Sequence, residues 1–156
     1  MLEVMIAILT ITAFSIGTLQ LMAFTALYKV RAERQAQANF WIQEDFEDVK
    51  FLASTLDVNS TPANPNVSAD VCTNISQGYA TALRRQLTAP TTPIPTEQLV
   101  GTRPFVRKNY SLYRTFNITS TNPHRLRIDY RVQNQENDVI ARSSVEVIPD
   151  ASFKCP

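Results

Sequence analysis

Leu2-Glu3-Val4-Met5-Ile6-Ala7-Ile8-Leu9-Thr10 opens a stretch in which no charged residue follows Glu3 until Lys29. The 25 residues from Val4 to Tyr28 carry as polar groups only Thr10, Thr12, Ser15, Thr18, Gln20, Thr25 and the Tyr28 hydroxyl. At about 1.5 Å per residue such a run is roughly 37 Å long as a helix, more than the about 30 Å of a hydrocarbon core. It excludes an ordinary soluble domain and predicts a membrane-length helix over 1–28. A secretory signal puts positive charge before a shorter apolar run and a small-residue cleavage site after it. Here Glu3 comes first and Lys29, Arg31 and Arg34 follow, so the run reads as retained. A single-span anchor carrying a binding module that never polymerises is the plain alternative.

Beyond Tyr28 the chain has no Pro or Gly until past Leu56. Ala38, Ile42, Phe46, Val49, Leu52 and Leu56 recur every three or four residues, the pattern of one apolar helix face. Glu44, Asp45, Glu47, Asp48 and Lys50 fall between them and read as a solvated face. The apolar and amphipathic stretches therefore form one rod, 1–28 and 29–56, ending where Asn59, Ser60, Pro62, Asn64 and Pro65 break the pattern. A helix of that length calls for two kinds of partner: other copies for its first half, its own head for its second.

The opening residues Met1-Leu2-Glu3-Val4-Met5-Ile6-Ala7-Ile8-Leu9 resemble the mature amino terminus of type IV pilins and pseudopilins, whose consensus runs Phe-Thr-Leu-Leu-Glu-Val-Met-Ile-Ala before a long apolar stretch. The wording is most similar to PilV-like minor pilins and to minor pseudopilins of type II secretion, and it covers the first 25 to 30 residues. A lone glutamate at the head of a transmembrane-length helix is otherwise expensive. The resemblance implies a basic leader ending in Gly, removed by a prepilin peptidase that methylates the new terminus. It also implies two residues ahead of Met1, so that the chain is truncated or its start assigned late. Bacterial inner-membrane residence before assembly follows from it, then a cell-surface pilus or a periplasmic pseudopilus. The implied partners are other pilin subunits through the N-terminal helix and the pilus or type II secretion machinery. Glu3 would offset its desolvation against the amino terminus of the neighbouring subunit and so set axial register. Where many major pilins kink at a Pro, this chain has Gly17, the expected point of local melting.

The remaining 128 residues or so (156 − 28) suffice for one modest core. Residues 57–100 read as a variable loop region holding a short helix, Ser76 to Leu87, with Tyr79, Ala82, Leu83 and Leu87 on one face and Arg84 and Arg85 exposed. Residues 101–156 read as the sheet and C-terminal segment. Tyr110–Ile118, Arg125–Val132 and Val139–Val147 alternate apolar and polar residues between turn residues, giving an antiparallel meander with one buried face. The fold class is therefore α+β and pilin-like: a long N-terminal helix packed on an antiparallel sheet of three or four strands.

Cys72 and Cys155 lack metal-ligand spacing. In an exported head a disulfide between them would close a loop of about 80 residues and stabilise by a few kcal/mol, as many pilins staple their C-terminal segment; separate thiols are the alternative. His124, the one histidine, reads as a solvated turn residue, and no catalytic set, metal cluster, cofactor loop or phosphate-cradling glycine run emerges, so a non-enzyme is expected. Five Asn-x-Ser/Thr matches, at Asn59, Asn66, Asn74, Asn109 and Asn117, read as compositional. The net charge of +1 argues against a protein built around nucleic acid. It hides a basic sheet, however. Arg125, Arg127 and Arg131 lie on one side of a strand, either as a solvated, aggregation-resistant face or as a patch for an anionic ligand such as DNA or acidic polysaccharide.

Overall fold

The structure, a computed structural model, describes residues 2–57, 59–60, 62–89 and 93–155. Met1 of the opening motif, Val58 and Thr61 of the region after the rod, Pro90, Thr91 and Thr92 of the proline-rich stretch, and Pro156 lie outside the described residues. Helix α1 runs from Leu2 to Thr55 without interruption. Residues 1–36 and 37–156 form two compact units.

In the first unit no described residue is buried. The apolar side chains are exposed all the way round, from Leu2 at 76% to Tyr28 at 67%. The Ser and Thr hydroxyls of this run are satisfied within the helix itself. Thr10, Thr12, Ser15, Thr18 and Thr25 each donate to a carbonyl one turn back, at 2.8–3.1 Å. That back-bonding suits hydroxyl side chains to surroundings without water.

The second unit is built on the remainder of α1. Ala38, Trp41, Ile42, Asp45, Val49 and Ala53 are buried, with Leu56 just beyond, while Phe46 and Leu52 are half-buried. The buried stripe thus includes Trp41 and Asp45, which its apolar spacing had left out. A four-stranded antiparallel sheet follows in the order β1-β2-β3-β4: β1 Glu97–Phe105, β2 Lys108–Thr119, β3 Asn122–Asn134 and β4 Val139–Val147. The last three match the strands expected from alternation. β1 is additional, and it moves the start of the sheet from 101 to 97. Tyr110, Leu112, Arg114 and Phe116 of β2 and Leu126, Ile128, Tyr130 and Val132 of β3 are buried, facing the helices.

A 3-10 turn, Ile75–Gln77, capped by Asn74, leads into α2, Tyr79–Thr88. Gly78 between them is required by packing, because a Cβ there would meet the Pro123 carbonyl at 2.2 Å. Tyr79, Ala80, Ala82, Leu83 and Leu87 complete the core from α2. Arg84 and Arg85 are half-buried, correcting the expected exposure. The Arg84 guanidinium donates to the carbonyls of Ile94 and Pro95 at 2.8 and 3.1 Å and so ties the segment before β1 to α2. Cys72 and Cys155 are joined by a disulfide, their Cα atoms 5.3 Å apart across a sequence separation of 83. The structure is an α+β arrangement consistent with the pilin-like fold.

Candidate functional site

Two surfaces were singled out by sequence, the apolar helix and the arginine strand face. The apolar helix is long and apolar enough to cross a membrane by length and composition. Glu3, in its first turn, lies where the positive end of the helix dipole favours a carboxylate. Gly17 sits in mid-helix with nothing within 4 Å of where a Cβ would be.

Each of the three arginines singled out on this strand has a carboxylate partner. Arg125 Nη1 lies 3.4 Å from Glu146 on β4, Arg127 Nε 3.1 Å from Asp129, and Arg131 Nη2 3.3 Å from Glu97 on β1. Arg127 also donates to the Ser144 hydroxyl, and Asn117 donates to Asp129 at 2.7 Å. The Ser144 hydroxyl, with Arg127 and Asn117, holds the Asp129 carboxyl below the usual carboxylate range. Three guanidiniums therefore meet three carboxylates. Strand-by-strand reading missed this because Glu146 comes from the neighbouring strand β4 and Glu97 from β1, one strand further off beyond β2. Of this face's arginines, Arg142 on β4, opposite Arg131 and exposed, has no carboxylate partner among the described residues, so about one positive charge is left uncompensated.

The expectation of a fully solvated acidic helix face is corrected at Asp45. It is 8% exposed and forms a pair with the equally buried Arg114 of β2, whose Nη1 donates to both carboxylate oxygens at 3.1 and 3.3 Å. Arg114 Nε donates to Gln98 Oε1 at 2.9 Å, and Gln98 Nε2 donates to the Leu87 carbonyl at 3.0 Å. The Tyr130 hydroxyl is buried beside this pair without a hydrogen bond of good geometry. Burial and the Asp45 charge push its pKa well above the ordinary tyrosine value.

Glu44 is exposed and takes a two-point contact from Arg103 at 2.6 and 3.0 Å, which holds its carboxyl below the usual range. The Arg103 guanidinium stacks over Trp41 at 4.9 Å, and Trp41, Phe105 and Tyr110 form a run of aromatic contacts at 5.5–5.7 Å. Nothing in the apolar spacing flagged Trp41. His124 is half-buried, and its Nδ1 accepts from the Tyr79 backbone N–H at 3.3 Å, so it braces α2 against β3 where a solvated turn residue was expected. Among the described residues no group of three or more His, Cys, Asp or Glu side chains is placed to hold a metal ion. Comparisons with protein families, characterised proteins and solved structures return no match to this chain.

Proposed function

We propose that the chain is a non-catalytic structural subunit, a minor pilin of a type IV pilus-type filament that assembles through its N-terminal helix and displays its head. The observation that supports this reading most is the uncharged run Val4–Tyr28, exposed around its whole circumference and preceded by the single charge of Glu3. A helix apolar on every side needs cover from outside its own chain. A bilayer supplies it before assembly, and neighbouring pilin helices supply it in a filament core. Within that bundle a carboxylate at the head of each helix is tolerated only beside a positive partner, and the neighbouring amino terminus provides one. Glu3 then selects the single axial register that makes the pair. The head, carried outward, serves adhesion, motility or DNA uptake.

The test is Glu3→Gln, which keeps the side chain's size and removes its charge. Expected are a chain that stays in the inner-membrane fraction and a loss from sheared surface filaments of tenfold or more, equivalent to about 1.4 kcal/mol or more of lost pairing. Wild-type chain absent from filaments would overturn the reading. Deletion of the gene with both pili and secreted proteins scored separates the alternatives. Lost secretion with intact pili would assign the chain to a type II secretion pseudopilus, and loss of neither would leave a plain anchor.

A further inference from the structure

The β1–β2 hairpin turns through Val106 and Arg107, at φ 42° and 66°. A two-residue turn with both residues left-handed is normally made by Asn-Gly or Asp-Gly, and a β-branched residue there is a true outlier. Strain of this kind points to selection for what the side chains do. Arg107 and Lys108 are exposed at this tip, and neither has an ion-pair partner among the described residues. Lys50, Arg103, Arg114, Arg125, Arg127, Arg131 and Lys154 have a carboxylate, Arg84 and Arg85 have carbonyl or amide acceptors, and Arg142 on the sheet face shares the lack of an ion pair. The two cations border a recess of about 240 Å³ whose other wall is the β3–β4 turn, with Asn109, Asn134, Gln135 and Glu136. That wall is braced. The Asn134 side-chain oxygen accepts the N–H groups of Glu136 and Asp138 at 2.9 and 2.8 Å, and its amide donates to both of their carboxylates at 3.3 and 3.0 Å. The recess therefore has two cations, one carboxylate already engaged by Asn134, and two further side-chain amides, Asn109 and Gln135, able to donate.

Its position in the head narrows the ligand. Phe105, the last residue before the turn, packs against Trp41, and Gly101 approaches the same ring. The recess thus lies at the end of the head where α1 enters it near Gln37, and Phe40, 68% exposed, is at the same end. Nine residues of sequence take the chain from Tyr28, the end of the uncharged run, to Gln37. We propose that this recess binds the phosphate of an anionic phospholipid headgroup, seating the head on the membrane surface before assembly. The proposal rests on the membrane-anchor reading above. Cations beside an anionic leaflet gain from its surface potential, and a donor-rich recess adds directional contacts to the phosphate oxygens.

The test uses the full chain in dodecyl maltoside micelles doped with phosphatidylglycerol or, as control, phosphatidylcholine. Unfolding of the head is followed by the fluorescence of Trp41, the one tryptophan. Phosphatidylglycerol should raise the wild-type Tm by roughly 3 °C, with the rise removed by moderate salt. The same lipid should leave Arg107→Gln/Lys108→Gln unmoved, although Lys29, Arg31 and Arg34 are retained in both chains. An equal rise with inorganic phosphate alone would overturn the headgroup as ligand. A rise that persists in the double variant, or no rise in the wild type, would overturn the site. Extraction of the wild-type chain from membranes by alkaline carbonate would overturn the anchor reading itself, independently of any Tm.

Discussion

Residues 4–28 and 37–55 belong to one continuous helix, yet they solve the same problem in opposite ways. The first stretch is apolar all round and buries nothing within the chain. Five of its seven polar side chains are Ser or Thr hydroxyls that turn back onto carbonyls of the same helix. The second gathers most of its apolar side chains into a stripe, leaving Phe40 and Phe51 exposed, buries six residues against the head, and satisfies its one buried charge across the interface, Asp45 to Arg114. Neither stretch contains Pro, and Gly17 is the one Gly in either, so both are helical. What differs is the angular spread of the apolar residues, which dictates where the cover comes from. A narrow stripe is covered by the chain's own sheet, and a full circumference finds no cover among the described residues.

That contrast is broken most severely at Asp45. Both partners of the pair are about nine-tenths buried, so Asp45→Ala strands the Arg114 guanidinium in the core at an expected cost of roughly 3–5 kcal/mol. The combination Asp45→Leu/Arg114→Met should restore most of the loss in chemical denaturation, because two apolar side chains of similar length replace the pair. If the single variant is as stable as wild type, the second stretch is held by its apolar stripe alone. Removing the Cys72–Cys155 bond as Cys72→Ser/Cys155→Ser comes next. Freeing a loop of this length should lower head stability by about 4 kcal/mol and leave membrane fractionation unchanged. An unaltered denaturation midpoint would show that the C-terminal segment is held without it.

How much of this is written in the sequence depends on whether a residue's partner is local. The alternation in β2, β3 and β4 is local, as is the three-to-four spacing of the α1 stripe, and both are legible. Asp45 lies between Ile42 and Val49 at a stripe position, but its charge groups it with Glu44 and Glu47. The signal that marks it as buried is the matching one on β2, where Arg114 sits between Leu112 and Phe116 on an otherwise apolar face. β1 is illegible for a different reason. A register shift between Leu99 and Gly101 breaks its alternation, and Pro104 is tolerated because β1 is an edge strand. The charge balance of the arginine face likewise depends on Glu97 and Glu146, which only strand register brings in. The covering of the first helical stretch is legible as a need, and its supplier lies outside the chain.

Tyr130 offers a smaller test within the same core. Its hydroxyl lies beside Asp45 without a hydrogen bond of good geometry, so Tyr130→Phe should change stability by less than about 1 kcal/mol. Its pH signature is more specific. The folded-state pKa is raised, so the stabilisation from keeping the hydroxyl neutral is complete below the unfolded value of about 10 and is lost as pH rises above it. Wild type should therefore lose stability above that pH more steeply than Tyr130→Phe. Parallel alkaline curves would mean that the hydroxyl ionises as easily folded as unfolded. At the acid end the sign reverses. Glu44, Asp57, Asp70 and Asp129 all have lowered carboxyl pKa values, so their contributions are present above about pH 4 and fade as pH falls below it.

The smallest expected effect lies in the first stretch. A Cβ at Gly17 meets nothing within 4 Å, so Gly17→Ala adds no clash and should firm the helix locally by up to about 1 kcal/mol. In a membrane or micelle that should slow amide exchange around Gly17 by roughly fivefold. The Tm of the head, read at Trp41, should not move. Wild-type exchange at Gly17 as slow as that of its neighbours would remove the melting point from the helix. A head Tm that rose with Gly17→Ala would say more, because residues 4–28 and 37–55 would then melt as one cooperative unit.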